Sequence, residues 1–253
     1  CRNIVEARYD QLAQELMDIP YHVIISSKQN EKNEVEVSLR TLFNDQEIYY
    51  TIDGREPQLG ENYHAPFVLS QSATVHAMTL NPFKEKVLSE KYILIHKALQ
   101  KIAQLNTAYS EYRPQYAASG KMGLADGIIG SESYLDGCWQ GYWGSDIDVE
   151  FDFGKTTAIH EFKTRFLQNI HDWIMCPQTV ELYTAKDGVN YTLYQTLTVP
   201  NVEYTAEKTG IFTLQLNDLT IKSRYIRVVV KNAGPLPSWH QASGQPSYIF
   251  CDE

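Results

Sequence analysis

The chain has 253 residues, a formal net charge of −9, and 43% hydrophobic residues. That length fits two compact domains, and the acidic balance without any Lys/Arg cluster excludes a phosphate-reading partner, nucleic acid above all. No stretch approaches the ~20 apolar residues of a membrane helix, so the composition is that of a folded, Tyr-rich β protein with 17 tyrosines and a neutral ligand is compatible with it.

Residues 3–17, NIVEARYDQLAQELM, carry Ile4, Val5, Tyr9, Leu12 and Leu16 at helical spacing, and Pro20 ends that pattern. One amphipathic helix cannot bury its stripe alone, so a neighbour is expected for it. From 21 to 96 the period changes to two. VEVSLRTL (35–42), EIYYTI (47–52), APFVL (65–69), ATVHAMTL (73–80) and KYILI (91–95) read as strands, and Asp53-Gly54 as a tight turn. Such a set of short strands predicts a small immunoglobulin-like β-sandwich. KALQKIAQLN (97–106) reads as a short helix or linker.

Residues 97–253 form the third region. Strands are predicted over 146–153, 159–168, 179–185, 192–199, 210–216, 223–231 and 247–253, separated by Gly, Pro, Asn and Asp. That pattern predicts a jelly-roll or similar double sheet. The fold expectation is therefore mainly β: an N-terminal helix (1–20), a small sandwich (21–96) and a larger sandwich (97–253).

Four cysteines stand at 1, 138, 176 and 251 with no CxxC pair, which argues against a structural zinc site. Their wide spacing permits a disulfide among Cys138, Cys176 and Cys251, with free buried thiols as the alternative. Cys1 reads as a point where a longer chain was cut, with a lipidated N-terminus as the alternative.

Three segments carry a resemblance. LADGIIGSESYLDGCWQG (124–141), VEFDFGKTTAIHEFKTRFLQ (149–168) and VELYTAKDGVNY (180–191) resemble, in order, the discoidin domain of coagulation factors, a family that includes galactose- and hexosamine-binding modules. YYTIDGREP, Tyr63, Pro66-Phe67 and the S-x-T-V-x-A strand resemble the immunoglobulin-like module behind the catalytic barrel of bacterial chitobiases and β-N-acetylhexosaminidases. RYDQLAQELMDIPYHV (8–23) is similar to the last helix of such a barrel. The resemblance implies a non-catalytic tail of a periplasmic, cell-surface or secreted bacterial glycosidase, with an upstream catalytic domain as its partner.

No catalytic constellation stands against that. The chain has no GxSxG and no HExxH. Asp252-Glu253 lies on a predicted strand, where neighbours point to opposite faces. A (β/α)8 barrel needs about 250 residues that are not here.

The resemblance also implies a structural Ca²⁺ held by Asp126, Ser131 and Glu253 with a backbone carbonyl near Leu124. Ile128 stands where the family often has an acidic residue or Asn.

A sugar pocket needs aromatic faces beside planar polar groups in loops. The four tryptophans fall in three such clusters. They are Trp139-Gln140-Gly141-Tyr142-Trp143, Arg165 through Asn169-Ile170-His171-Asp172-Trp173, and Pro237-Ser238-Trp239-His240-Gln241. Trp239, His240 and Trp173 are the leading candidates, with Asp172, His171, Asn169, Arg165, Tyr142 and Trp143 beside them; the alternatives are that His240 caps its loop and that Arg165 pairs with a neighbouring carboxylate. Trp139 is expected to pack in the core. The competing expectations are a scaffold for the barrel and an adhesion module for protein or lipid; the acidic and polar neighbours of the Trp loops disfavour the latter.

Overall fold

The computed structural model describes residues 19–30, 34–42, 46–199 and 209–253. The helix expected over 3–17 lies outside the described residues. The chain divides into two compact units, Cys1–Lys97 and Ala98–Glu253.

In the first unit, β1 (Ile24–Gln29), β2 (Val35–Arg40) and β4 (Phe67–Leu69) form one antiparallel sheet. A second contains β3 (Tyr49–Thr51), β5 (Ala73–Leu80) and β6 (Lys86–Ile93). The period-two pattern of β2 puts Val35, Val37 and Leu39 inside and Glu36 and Arg40 outside. Ser89 Oγ of β6 accepts the Val23 N–H at 2.9 Å, tying the chain entering β1 to the other sheet.

In the second unit the segment expected as a short helix or linker at 97–106 is a turn followed by β7 (Gln104–Leu105), which adds to β9 by a two-residue ladder. The remaining strands are β8 (Gln140–Trp143), β9 (Ile147–Ile159), β10 (Phe162–Asn169), β11 (Thr179–Ala185), β12 (Thr192–Thr198), β13 (Thr209–Leu216), β14 (Ile221–Lys231) and β15 (Tyr248–Asp252). A four-stranded sheet runs β13-β10-β15-β8 and a five-stranded sheet β12-β11-β14-β9-β7. Val149, Phe151, Val180, Leu182, Val228 and Val230 of the five-stranded sheet meet Tyr142, Phe166, Ile249 and Cys251 of the other in one core. This is the double sheet that the alternation predicts.

The four-stranded sheet is buried on its outer face as well. Leu167 and Phe250 point outward and pack with Ile174 and with Tyr116 and Trp139 from the segment before β8. Apolar side chains on both faces explain why Phe166-Leu167 and YIFC (248–251) do not alternate with polar residues. Two glycines permit this second layer. A Cβ on Gly141 would lie 2.7 Å from the Phe250 ring, and one on Gly130 2.3 Å from Trp139 Nε1. Cys138, Cys176 and Cys251 are free thiols, the second of the two alternatives. Burial pushes Cys176 up to about 11 and Cys251 up to about 12.

Candidate functional site: an aromatic platform at one sheet end

Trp143 ends β8, Asn169 ends β10 and Tyr248 begins β15, so all three stand at the same end of the four-stranded sheet. After β10 the chain makes a single 3-10 turn, Ile170–Asp172. Asn169 caps it: its side-chain oxygen accepts the Asp172 N–H at 3.3 Å, and its amide donates to Asp172 Oδ2 at 2.9 Å. Trp173 follows in the left-handed region, φ 67°. That reversal lets Ile174 bridge back to both Asn169 and Tyr248, and it swings the Trp173 indole onto Trp143. The two rings stack with centroids 5.7 Å apart and planes 24° apart. Tyr248 joins at 4.5 Å from Trp143. Trp143 remains 37% exposed.

The Trp239 loop is brought to the same end. Leu236 and Gln245 close it by a backbone hydrogen bond of 2.8 Å. His240 pins it: Nδ1 accepts the Ala242 N–H at 3.0 Å, which leaves the proton on Nε2, 3.0 Å from the Ile170 carbonyl oxygen. Leu236 packs with Ile170 and Met175, and Trp173 and Ala242 close around them. Trp239 is 49% exposed above this anchor.

The three clusters singled out in the sequence therefore converge, but their members divide by role. Trp143, Trp173 and Trp239 present ring surface, His171 is exposed, and Asp172 and Asn169 are half-buried beside them. His240 is corrected from a contact residue to a loop anchor, since it is 7% exposed with both ring nitrogens engaged. Tyr142 is corrected likewise. It lies wholly in the inter-sheet core and its hydroxyl donates to Gln140 at 2.7 Å. Arg165 stands toward the other end of β10, where it pairs with Asp252 at 3.0 Å, donates to the Gly130 carbonyl at 2.9 Å and covers Trp139. Trp139 is fully buried, its Nε1 donating to the Ser131 carbonyl at 2.8 Å.

Sequence reasoning missed Tyr248, Tyr134, Tyr112 and Arg113. Tyr134 lies near Asp172: burial, and then the Asp172 charge, push its phenol up, while Arg113 acts in the opposite sense. The only signal for these residues was the Tyr richness of the chain, because their approach is a matter of loop packing.

At the opposite end of β15, Asp126 and Glu253 do come together. Burial, with the Glu253 charge adding to it, raises Asp126 above the ordinary carboxylate range. Asp126 Oδ1 accepts the Ile128 N–H at 2.7 Å, whereas its Oδ2 is buried without a hydrogen-bond partner. Two carboxylates side by side fit Ca²⁺ in kind, since a hard cation takes oxygen ligands. Ser131 does not join them, because its hydroxyl donates to Asp136 at 2.7 Å. Leu124 packs against the main core. Among the described residues, no group of three His, Cys, Asp or Glu is arranged to hold a metal.

The fold and this site define a β-sandwich module with an aromatic surface at one sheet end. The chain belongs to the F5/8 type C domain family, whose model matches residues 106–247, more than half of it. A second family model, Fn3 associated, matches residues 37–92. No curated protein matches the chain. Among solved structures it is similar to a CBM32 from Clostridium perfringens in complex with GalNAc-beta-1,3-galactose, at 10% identity over 60% of this chain and 94% of that one, TM-score 0.35. The C-terminal domain of a chitobiase from Bacteroides fragilis is similar at 13% identity over 58% and 89%, TM-score 0.32. The lectin domain of lectinolysin complexed with Lewis B antigen is similar at 14% identity over 60% and 90%, TM-score 0.37.

Proposed function

We propose that residues 98–253 bind carbohydrate at the Trp143–Trp173 platform and perform no chemistry of their own. The stacked indoles carry the reading. The C–H face of a pyranose is apolar and lies flat on such rings, and hydroxyls need planar polar partners within reach. Asp172 and the exposed His171 would serve that role, with Asn169 holding Asp172 in position. A net charge of −9 suits a neutral ligand.

By the resemblance in the sequence, the parent protein is a bacterial β-N-acetylhexosaminidase acting in the periplasm, at the cell surface or outside the cell. Its catalysis would reside in a barrel upstream. The first unit would be an immunoglobulin-like spacer, and the second would hold the enzyme on polymeric substrate by raising its local concentration. Asp126 and Glu253 would hold a Ca²⁺ that pins loops and activates no water.

A glycan array followed by calorimetry on the wild type, Trp143→Ala and Trp173→Ala tests the reading. Binding that both substitutions abolish is expected. Binding that survives both would overturn the site, and a wild type that binds no glycan would overturn the function.

A scaffold role for the first unit is favoured by its exposed Leu59, Val68, Phe83 and Leu88. Light scattering of the isolated chain would show self-association if those side chains normally meet a partner.

A further inference from the structure

We infer that the recognition surface continues past Trp143 onto Tyr112, so that the module grips a chain of sugars along its length and not a single terminal sugar. The inference rests on the carbohydrate reading above and deepens it. Aromatic rings continue from the platform without interruption. Trp143 meets Tyr248 at 4.5 Å, Tyr248 meets Tyr116 at 5.6 Å, and Tyr116 meets Tyr112 at 6.3 Å. Tyr116 is the buried middle of the series, edge-on to Phe250 at 4.8 Å. Tyr112 is its outer end and is 73% exposed.

That exposed ring is held. Arg113 is extended, at φ −138° and ψ 144°, as a residue before proline must be, and Pro114 opens the 3-10 turn that delivers Tyr116 to the core. The Arg113 guanidinium lies 5.7 Å from the Tyr112 ring centroid. Core packing does not require a large apolar ring in solvent, fixed on a short anchored turn. A second stacking position does, because pre-ordering the ring lowers the entropic cost of engaging a ligand. Tyr248 and Tyr116 intervene between the two exposed positions, so the Tyr112 end is a stacking position separate from the platform. A second sugar would occupy it, with the Arg113 guanidinium as donor to its oxygens.

Calorimetry with the glycan identified on the array, offered as its monosaccharide and as an oligosaccharide of the same sugar, tests this. The wild type is expected to bind the oligosaccharide tighter. Tyr112→Ala is expected to lower oligosaccharide affinity about five- to tenfold and to leave monosaccharide affinity unchanged, while Tyr112→Phe keeps both at the wild-type level. Equal wild-type affinity for the two ligands, or unchanged oligosaccharide affinity in Tyr112→Ala, would overturn the extension and leave the Trp143 platform standing. Absence of all glycan binding would remove both. Circular dichroism of Tyr112→Ala should match the wild type, since the side chain it removes is exposed.

Discussion

Trp143 and Trp173 stack 5.7 Å apart although thirty residues of chain, including all of β9 and β10, separate them. Neither indole is presented by its own loop alone. Trp143 depends on β8 pairing with β15, and Trp173 on a left-handed residue after a one-turn helix. Replacing Trp173 with Ala should therefore weaken glycan binding more than the loss of one ring suggests, because Trp143 loses its support. A loss of about tenfold or more is expected for either Trp→Ala change. Pairwise mutation, read by calorimetry, should show the two effects to be non-additive.

His240→Ala should loosen the Trp239 loop without disturbing the sandwich. The substitution removes a buried ring whose two nitrogens satisfy the Ala242 N–H and the Ile170 carbonyl. The Ile170 carbonyl keeps the Trp173 N–H, so the Ala242 N–H is the group left unpaired, at a cost of about 1–3 kcal/mol. Amide exchange should quicken over 236–245 and 170–173, while the strands keep their protection. Unchanged exchange there would show that Leu236 alone holds the loop.

Gly130→Ala tests the outer aromatic layer. Its new Cβ would press on Trp139, whose Nε1 is committed to the Ser131 carbonyl. A buried indole with a fixed partner cannot yield cheaply, so a loss of about 2 kcal/mol or more is expected. Thermal denaturation measures it. Gly137→Ala makes the control, since no atom lies within 4 Å of its added Cβ, although its φ of +80° adds backbone strain.

Acid stability should depend on Arg227. The bidentate pair with Asp148 measures 2.8 and 2.6 Å. Burial works to raise the Asp148 pKa, but the hydrogen bonds from Arg227 and Asn106 outweigh it and hold the carboxyl below the usual range. A carboxyl lowered on folding stabilises above its unfolded pKa of about 4 and loses that contribution as pH falls through the folded value. Arg227→Gln should thus cost about 1 kcal/mol at neutral pH, and the difference from wild type should vanish in acid. A difference that stays constant with pH would assign the loss to Arg227 packing over Tyr183 and Tyr191 instead.

The calcium proposal makes a separable prediction. Added Ca²⁺ should raise the melting temperature, by about 2–3 kcal/mol of stability at a hundredfold excess over Kd. Asp126→Ala should abolish the shift. Melting that neither chelator nor Ca²⁺ moves would assign the Asp126–Glu253 contact to loop packing alone.

Strand identity was legible where one face meets water. Val35–Arg40 alternates cleanly, and Thr179–Ala185 falls where its pattern places it. Strands β1, β7 and β8 were not read. Serines and Lys28 dilute β1, and β7 is two residues long. Strand β8 passes through Gly141 and is closed to solvent up to Trp143. The sequence put the break between β9 and β10 at 154–158, where Gly154 stands, whereas β9 runs on to Ile159 and the break falls at His160-Glu161.

The sequence by itself determined the β architecture of the second region and the three Trp-bearing clusters. Period-two burial, punctuation by turn residues and residue chemistry are local properties, and local properties are written in the chain. Only the tertiary structure decided that the three clusters meet at one sheet end. It alone turned His240 and Tyr142 from contacts into supports, and it alone set Tyr112 in solvent while Tyr116, four residues on, went into the core. Which face of a residue meets water depends on what the rest of the chain lays over it. In this sandwich the covering layer comes from an irregular segment whose path no periodicity records.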